Sequence, residues 1–441
     1  MLCSDYAIMP RTILAVVAVL ALASSAFAQS SDDLFNPEVL QRIDVWLNSS
    51  DWAKLKAAFQ ENTYYPADVT WNGITVRNVG IRSRGLGSRS STKPGLRVDF
   101  DRYSSGQQFL GLKSFVLDNL TQDHTGVKET VAMRFFSRLG IPAPRETHTR
   151  LYINGDYAGL YGLVESVDKT MMGRVFGSIG DNVQNDGYLF EYNYVLGSPW
   201  RFDYEGSALT PYKARFDIKT NESHAESVIW GPIEELVRLV NNTPSSSFEA
   251  TVGPRLDLGA FVRYVAAQNF VAQNDGFNGY DGMNNFYFYR LEDSSRHTFI
   301  AWDEDNAFLA TDFSITTRLD ENVLTRKTLE LTDYRSQYFS VLSEAAGSAA
   351  GWLRGEMQRQ FDLISQAMQE DTQKPYSNAD FAAERDRPDG AFDGVVVELD
   401  AAVIEEPAKS APSRQCITEH KRNIQPRKRR WNIRAPRRIM G

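Results

Sequence analysis

Two runs decide how this 441-residue chain is read: NDGFNGYDGMNNFYFYR at 274–290 and FIAWDEDNAF at 299–308. Residues 274–284 hold three glycines, two aspartates and three asparagines, a composition that makes a loop. The aromatic stretch Phe286 to Arg290 then reads as a strand and Thr298 to Trp302 as its partner, with Asp303 closing the pair. A hairpin of that length brings its two ends together. Asp275 in the loop, Asn285 at the start of one strand and Asp303 at the end of the other would then offer three oxygens to hard cations. Taken singly, Asp275 suits an Asx turn and Asp303 a strand-end cap. Trp302 and Phe308 argue otherwise, because they surround Asp303 with apolar bulk and a desolvated carboxylate needs a partner. Phosphoryl transfer requires such a set: oxygen donors for magnesium, a carboxylate near the attacking hydroxyl, and a cation on the phosphates.

Upstream of this hairpin, Asp257 can cap a helix running to Gln273, and Glu226 to Val240 is helical; helices with interruptions also fill Ser336 to Glu370. The first half alternates instead. Val69, Trp71, Ile74, Val76, Val79 and Ile81 recur at strand spacing around Asn72-Gly73, and Leu96 to Phe100 continues the pattern. A helix spans Val127 to Leu139, and a hairpin turns at Asn154-Gly155 within Thr149 to Val164. Asn36 to Asn62 reads as largely helical, with Asn36 as cap and Pro37 at the first position.

Composition closes several routes. The formal charge of −8 gives no general attraction to nucleic acid, so none is expected as a partner. Cys3 and Cys416 are the only cysteines, so no disulfide framework or cysteine-rich zinc site forms. The five histidines are scattered without metal spacing, and no nucleophile elbow is present. Residues 1–28 carry a basic flank at Arg11, an apolar run from Ile13 to Leu22 and Ala26-Phe27-Ala28, the pattern of a secretory leader. The run is too short to span a bilayer, so no transmembrane helix is expected once the leader is removed. Export implies an extracellular or periplasmic protein. Residues 29–36 form a polar linker. The tail, 404–441, lacks an apolar face and is expected to be disordered. Ten Lys or Arg between Arg414 and Arg438 suit a surface-binding arm, or equally a peptide from a disturbed reading frame.

The two runs quoted first resemble the spore coat protein H (CotH) kinase family. The likeness extends back through RSRGLGSRSSTKPGLRVDF (82–100), LDNLTQDHTGVKETVAMRFFSRLGIPAPR (117–145), LYINGDYAGLYGLVESVDK (151–169) and NDGYLFEY (185–192), covering roughly 81–308 in the family's order. The resemblance implies an α+β, atypical protein-kinase-like fold of two lobes over residues 37–403. A smaller strand-rich lobe with one helix (about 37–168) would precede a larger, mostly helical one (about 186–403). It also implies ATP with Mg²⁺ or Mn²⁺, and a monomer acting on exported or cell-surface proteins. By the same carry-over Asp275 is the catalytic aspartate, Asn285 and Asp303 hold metal, and Asp305 is an additional ligand. Lys93 would contact phosphate and pair with Glu129. Arg84, Gly85 and Ser88 form the phosphate-side turn, where the family's usual Arg-Gly-Asn is Arg84-Gly85-Leu86. Glu165, after the hairpin, would be either a hinge residue near the adenine or a strand-end charge. The same scaffold can transfer a glutamyl or nucleotidyl group, or serve as a non-catalytic coat or surface assembly module.

Overall fold

Strand alternation in the first half produces a closed barrel. The computed structural model describes residues 29–179, 182–291, 294–310 and 313–385. The leader, the tail and both cysteines lie outside the described residues. Seven strands, β1 (Gln41–Leu47), β2 (Tyr65–Trp71), β3 (Ile74–Arg84), β4 (Gly95–Asp99), β5 (Ser114–Asp118), β6 (Glu146–Ile153) and β7 (Asp156–Glu165), close in the order β1-β2-β3-β4-β5-β7-β6. Neighbours are antiparallel except β1 and β6, which run parallel and seal the barrel. Both Asn-Gly turns form as expected. Asn72-Gly73 and Asn154-Gly155 adopt positive φ at both residues, the conformation that matches strand twist in two-residue hairpins. Ile43, Val45, Val69, Val98 and Leu151 fill the interior.

The N-terminal expectation fails in an informative way. Residues 41–47 form β1 rather than a helix, because QRIDVWL buries Ile43 and Val45 at a spacing of two. Asn36 does not cap a helix; its side chain accepts the Glu38 amide in a local turn. Only Ser49–Ala57 is helical, capped by Asn48. The supposed linker contains a short helix, Ser31–Leu34, with a capping box at Ser30, and its Leu34 and Phe35 are buried in the barrel core.

A second, helical half carries a four-stranded sheet, β10 (Tyr188–Tyr192), β11 (Phe216–Ile218), β12 (Phe286–Arg290) and β13 (His297–Ala301), in the order β11-β10-β12-β13. A two-stranded ribbon, β8 (Ser178–Ile179) and β9 (Asn182–Val183), lies between barrel and sheet in sequence. The hairpin β12–β13 is the one expected, in register Phe286↔Ala301. The expected 226–240 helix breaks at Trp230 into Glu226–Ile229 and Gly231–Asn242, the second opening on Gly231-Pro232. Long helices at Leu258–Phe270, Thr332–Ala349 and Trp352–Glu370 complete this half.

One helix crosses the expected division. Lys128–Arg138 follows the barrel strand β5, yet its Phe135 and Phe136 belong to the core of the helical half. Phe135 stacks on Phe270 at 5.2 Å. Among the described residues the strand-rich half therefore holds three helices in sequence, Ser31–Leu34, Ser49–Ala57 and Lys128–Arg138, and the last of them is shared. Among the described residues no helix is long and apolar enough to cross a membrane.

Candidate active site

A cleft of about 760 Å³ opens where the Arg84–Arg89 turn, the 118–126 loop, β10 and the β12–β13 hairpin face one another. Asp275, Asn285, Asp303 and Asp305 all line it. The Leu258–Phe270 helix ends at a left-handed Ala272, and the chain turns to present Asp275. Its Oδ2 accepts from the side-chain amides of Asn284 at 3.2 Å and Asn285 at 3.3 Å. Those two hydrogen bonds oppose burial, which raises the Asp275 pKa.

The hairpin ends share a backbone device. Asn285 (φ 56°) and Asp303 (φ 57°) both sit in the left-handed region, which Asn and Asp tolerate better than other side-chain-bearing residues. Each departs from strand geometry where its strand begins or has just ended, and each lines the cleft. Burial raises the Asp303 carboxyl to about 6, helped by repulsion from Asp118 and opposed by the Arg84 guanidinium. Burial, then Asp303 and Asp118, push Asp305 well above the ordinary carboxylate range.

Between these two aspartates Glu304 is fully buried and serves a different purpose. Its oxygens accept from Gln268 at 3.0 Å and Gln273 at 2.7 Å. Gln273 Oε1 in turn accepts the Asp275 amide at 3.0 Å, and Gln268 Oε1 accepts that of Phe277 at 3.0 Å. Gly276 lies so close to Gln268 that an added Cβ would approach its Nε2 to 2.5 Å. Two glutamines and one glutamate thus fix the Asp275 loop to the Asp303 turn.

The first-half candidates divide. Arg84, Gly85, Ser88 and Glu129 line the cleft. Arg84 lies 3.7 Å from Asp118 and 5.5 Å from the centre of the Trp302 ring. Gly85 (φ +109°) lets the turn close against Ser88, whose Oγ would lie 2.6 Å from any Cβ there. Arg89 locks this turn, donating to the carbonyls of Gly85 and Phe59 and to Asn62.

Lys93 is not in the cleft. It precedes β4, is fully buried, and pairs with Asp371 at 2.7 Å, so the expected pairing with Glu129 is not formed. Among the described residues no cation pairs with Glu129. It is buried beside Glu146, Asp303 and Asp118, and burial followed by their repulsion raises its pKa well above the usual value. Glu165 does not line the cleft either: it is buried at the end of β7, paired with Arg145 at 2.7 Å and Arg174 at 2.5 Å. Both ion pairs are structural ties between barrel and flanking segments.

Sequence reasoning assigned no role to Asp118, Asn119 or Asp123, all of which line the cleft. The signal was present in LDNLTQDHT, where four carboxylate or amide side chains, Asp118, Asn119, Gln122 and Asp123, fall in six positions starting at the last residue of a strand. Asp118 accepts the Leu120 amide and Asp123 accepts those of Thr125 and Lys128, so both also shape the loop.

Fold and site together define an α+β protein with a closed barrel, a helical half and a carboxylate-rich cleft between them. The family model described as CotH kinase protein matches residues 81–395, most of the chain, and the chain belongs to the CotH family. It is 22% identical over 325 residues to the inner spore coat protein H of Bacillus subtilis (strain 168), covering 71% of this chain and 83% of that protein.

Proposed function

We propose that this chain is an exported, monomeric CotH-type phosphotransferase that moves the γ-phosphoryl group of ATP to a hydroxyl of an exported or cell-surface protein. On this reading the barrel and helical halves act as the two lobes of a kinase-like arrangement. The observation that carries it is the meeting of Asp275, Asn285 and Asp303 in one cleft, with Asn285 donating to Asp275 at 3.3 Å.

The donor set fits Mg²⁺ or Mn²⁺. Asn285, Asp303 and Asp305 offer hard oxygens, and burial disfavours the charged form of the two carboxyls, a cost that a cation beside them would offset. Among the described residues no three acidic, imidazole or thiolate groups form a ready cation cage. Phosphate oxygens and water would therefore complete the coordination, as is usual for Mg²⁺. A bound cation would neutralise charge developing on the transferred group.

The chain's own residues do the rest. Arg84 and the backbone of the Gly85–Ser88 turn face the phosphates in place of Lys93. Asp275 orients the attacking hydroxyl and takes its proton. The oxygen of that hydroxyl forms the new bond to the γ-phosphorus as the bond to the β,γ-bridging oxygen breaks, and ADP leaves. Asn284 and Asn285 keep the Asp275 carboxylate aimed by holding one of its oxygens.

Intact-mass measurement after incubating the purified chain and exported-protein acceptors with ATP and Mg²⁺ tests this. Gain of a phosphoryl mass, lost in Asp275→Ala, is expected. A glutamyl or nucleotidyl mass would replace the reaction with another transfer. Absence of thermal stabilisation by ATP with either metal would replace it with a coat or surface assembly role.

A further inference from the structure

The burial of Lys93 removes one expected contact and reveals another arrangement. Its Nζ lies 2.7 Å from Asp371 Oδ2 in an ion pair with both side chains fully enclosed. The ammonium also lies 5.0 Å from the centre of the Tyr161 ring. Asp371 directly follows the Trp352–Glu370 helix and is saturated with donors: the amides of Leu160, Gln373 and Lys374 at 3.1, 2.8 and 3.1 Å. Gly159 makes room for it. A Cβ at Gly159 would lie 2.6 Å from Asp371 Oδ2, and φ there is +130°.

From this pair, contacts run to two walls of the cleft. The carbonyl of Lys93 accepts from the Asn119 side-chain amide at 2.8 Å, and the same amide reaches the carbonyl of Ser88 at 2.8 Å. Five residues beyond Asp371, the Tyr376 hydroxyl reaches the carbonyls of Leu120 at 3.2 Å and Asp123 at 3.1 Å. The Tyr376 ring packs on His124 at 4.5 Å, and Met368 fills the space against Gly126. Ser88, Asn119, Leu120 and Asp123 all line the cleft, whereas Lys93 and Asp371 do not.

We propose that Lys93 and Asp371 are positioning residues: their buried pair latches the segment after the last long helix onto the barrel, and thereby sets the Gly85–Ser88 turn and the 119–126 loop. The effect on nucleotide binding rests on the phosphotransferase reading above; the effect on the two cleft segments does not.

Hydrogen exchange on the full chain is the direct test, comparing wild type with Asp371→Asn and Gly159→Ala. The second variant displaces the carboxylate without removing its charge. Amides in 85–90 and 119–126 are expected to exchange roughly tenfold faster in both, because the constraint holding them closed is lost. Loss of protection confined to residues near 159 and 371–381 would overturn the latch. Should those variants fail to fold, Tyr376→Phe, which deletes only one hydroxyl, decides through the 119–126 amides by the same criterion. Calorimetry with Mg²⁺ and ATP supplies the second arm, where the latch variants should bind about three- to tenfold more weakly than wild type. Unchanged affinity in the folded variants would overturn the link to the cleft. Absence of binding by the wild type would count against the phosphotransferase reading alone, leaving exchange to decide the latch.

Discussion

Gln273 holds Glu304 and Asp275 at once, donating to the glutamate carboxylate at 2.7 Å and accepting the aspartate's backbone amide at 3.0 Å. Asp275 and Asp303 come from different elements, and this one side chain ties the loop of the first to the turn of the second.

Glu304→Ala is therefore expected to act on both functions. It removes one acceptor from each of the buried amides of Gln268 and Gln273, leaving them the Tyr264 hydroxyl at 2.8 Å and the Asp303 carbonyl at 3.4 Å, at a cost of up to about 1–3 kcal/mol each. Urea unfolding should show that loss, and affinity for Mg²⁺ and ATP should fall although Glu304 does not line the cleft. Glu304→Gln should be the milder change.

Asp303→Asn should separate charge from backbone. Asn accepts the positive φ of this position, so the turn persists while the charge is removed. Calorimetry should show metal-dependent nucleotide binding lost, and the melting temperature should hold or rise, since a buried carboxylate is relieved. Unchanged ATP affinity would refute the role given to Asp303.

Arg84→Ala should weaken ATP binding by about 1.5–3 kcal/mol, the loss of a charge-assisted contact. Its ion partner among the described residues, Asp118, is distant at 3.7 Å and both are partly exposed, so stability should hardly change. Isothermal titration beside a thermal melt checks both halves of this statement.

Glu146 gives a pH signature. It is buried in β6 beside the Thr130 hydroxyl with neither oxygen well hydrogen-bonded, and burial followed by repulsion from Asp118 raises its pKa well above the usual value. A raised folded-state value means that the neutral carboxyl's stabilising contribution is full below the unfolded pKa near 4.5 and is lost as pH rises through the folded value. Glu146→Gln should accordingly raise the melting temperature at pH 7 and change it little at pH 4. Equal shifts at both pH values would contradict this.

The sequence made the β12–β13 hairpin legible because its aromatic alternation and flanking polar loop are local signals, and Asp275, Asn285 and Asp303 followed from the geometry of its ends. The Asn-Gly turns and the 128–138 helix were legible for the same reason. β1 was not: its seven residues alternate, but the parallel partner that makes them a strand is β6, where Ile43 faces Leu151. Lys93 was misplaced because Asp371 lies at the far end of the helical half, and no spacing rule connects them. Glu304 was passed over because a carboxylate between two others looks like more of the same, and only the turn's geometry sends it inward.

The parallel seam between β1 and β6 has a consequence for synthesis. A chain emerging from the ribosome N-terminus first can form the β2–β3 hairpin early, yet β1 has one unpaired side until residues 149–153 are available. Closure thus depends on a contact distant in sequence, which slows folding relative to local pairing. Until it forms, the exposed strand edge can pair with other chains; once closed, the finished molecule offers no barrel edge for such association.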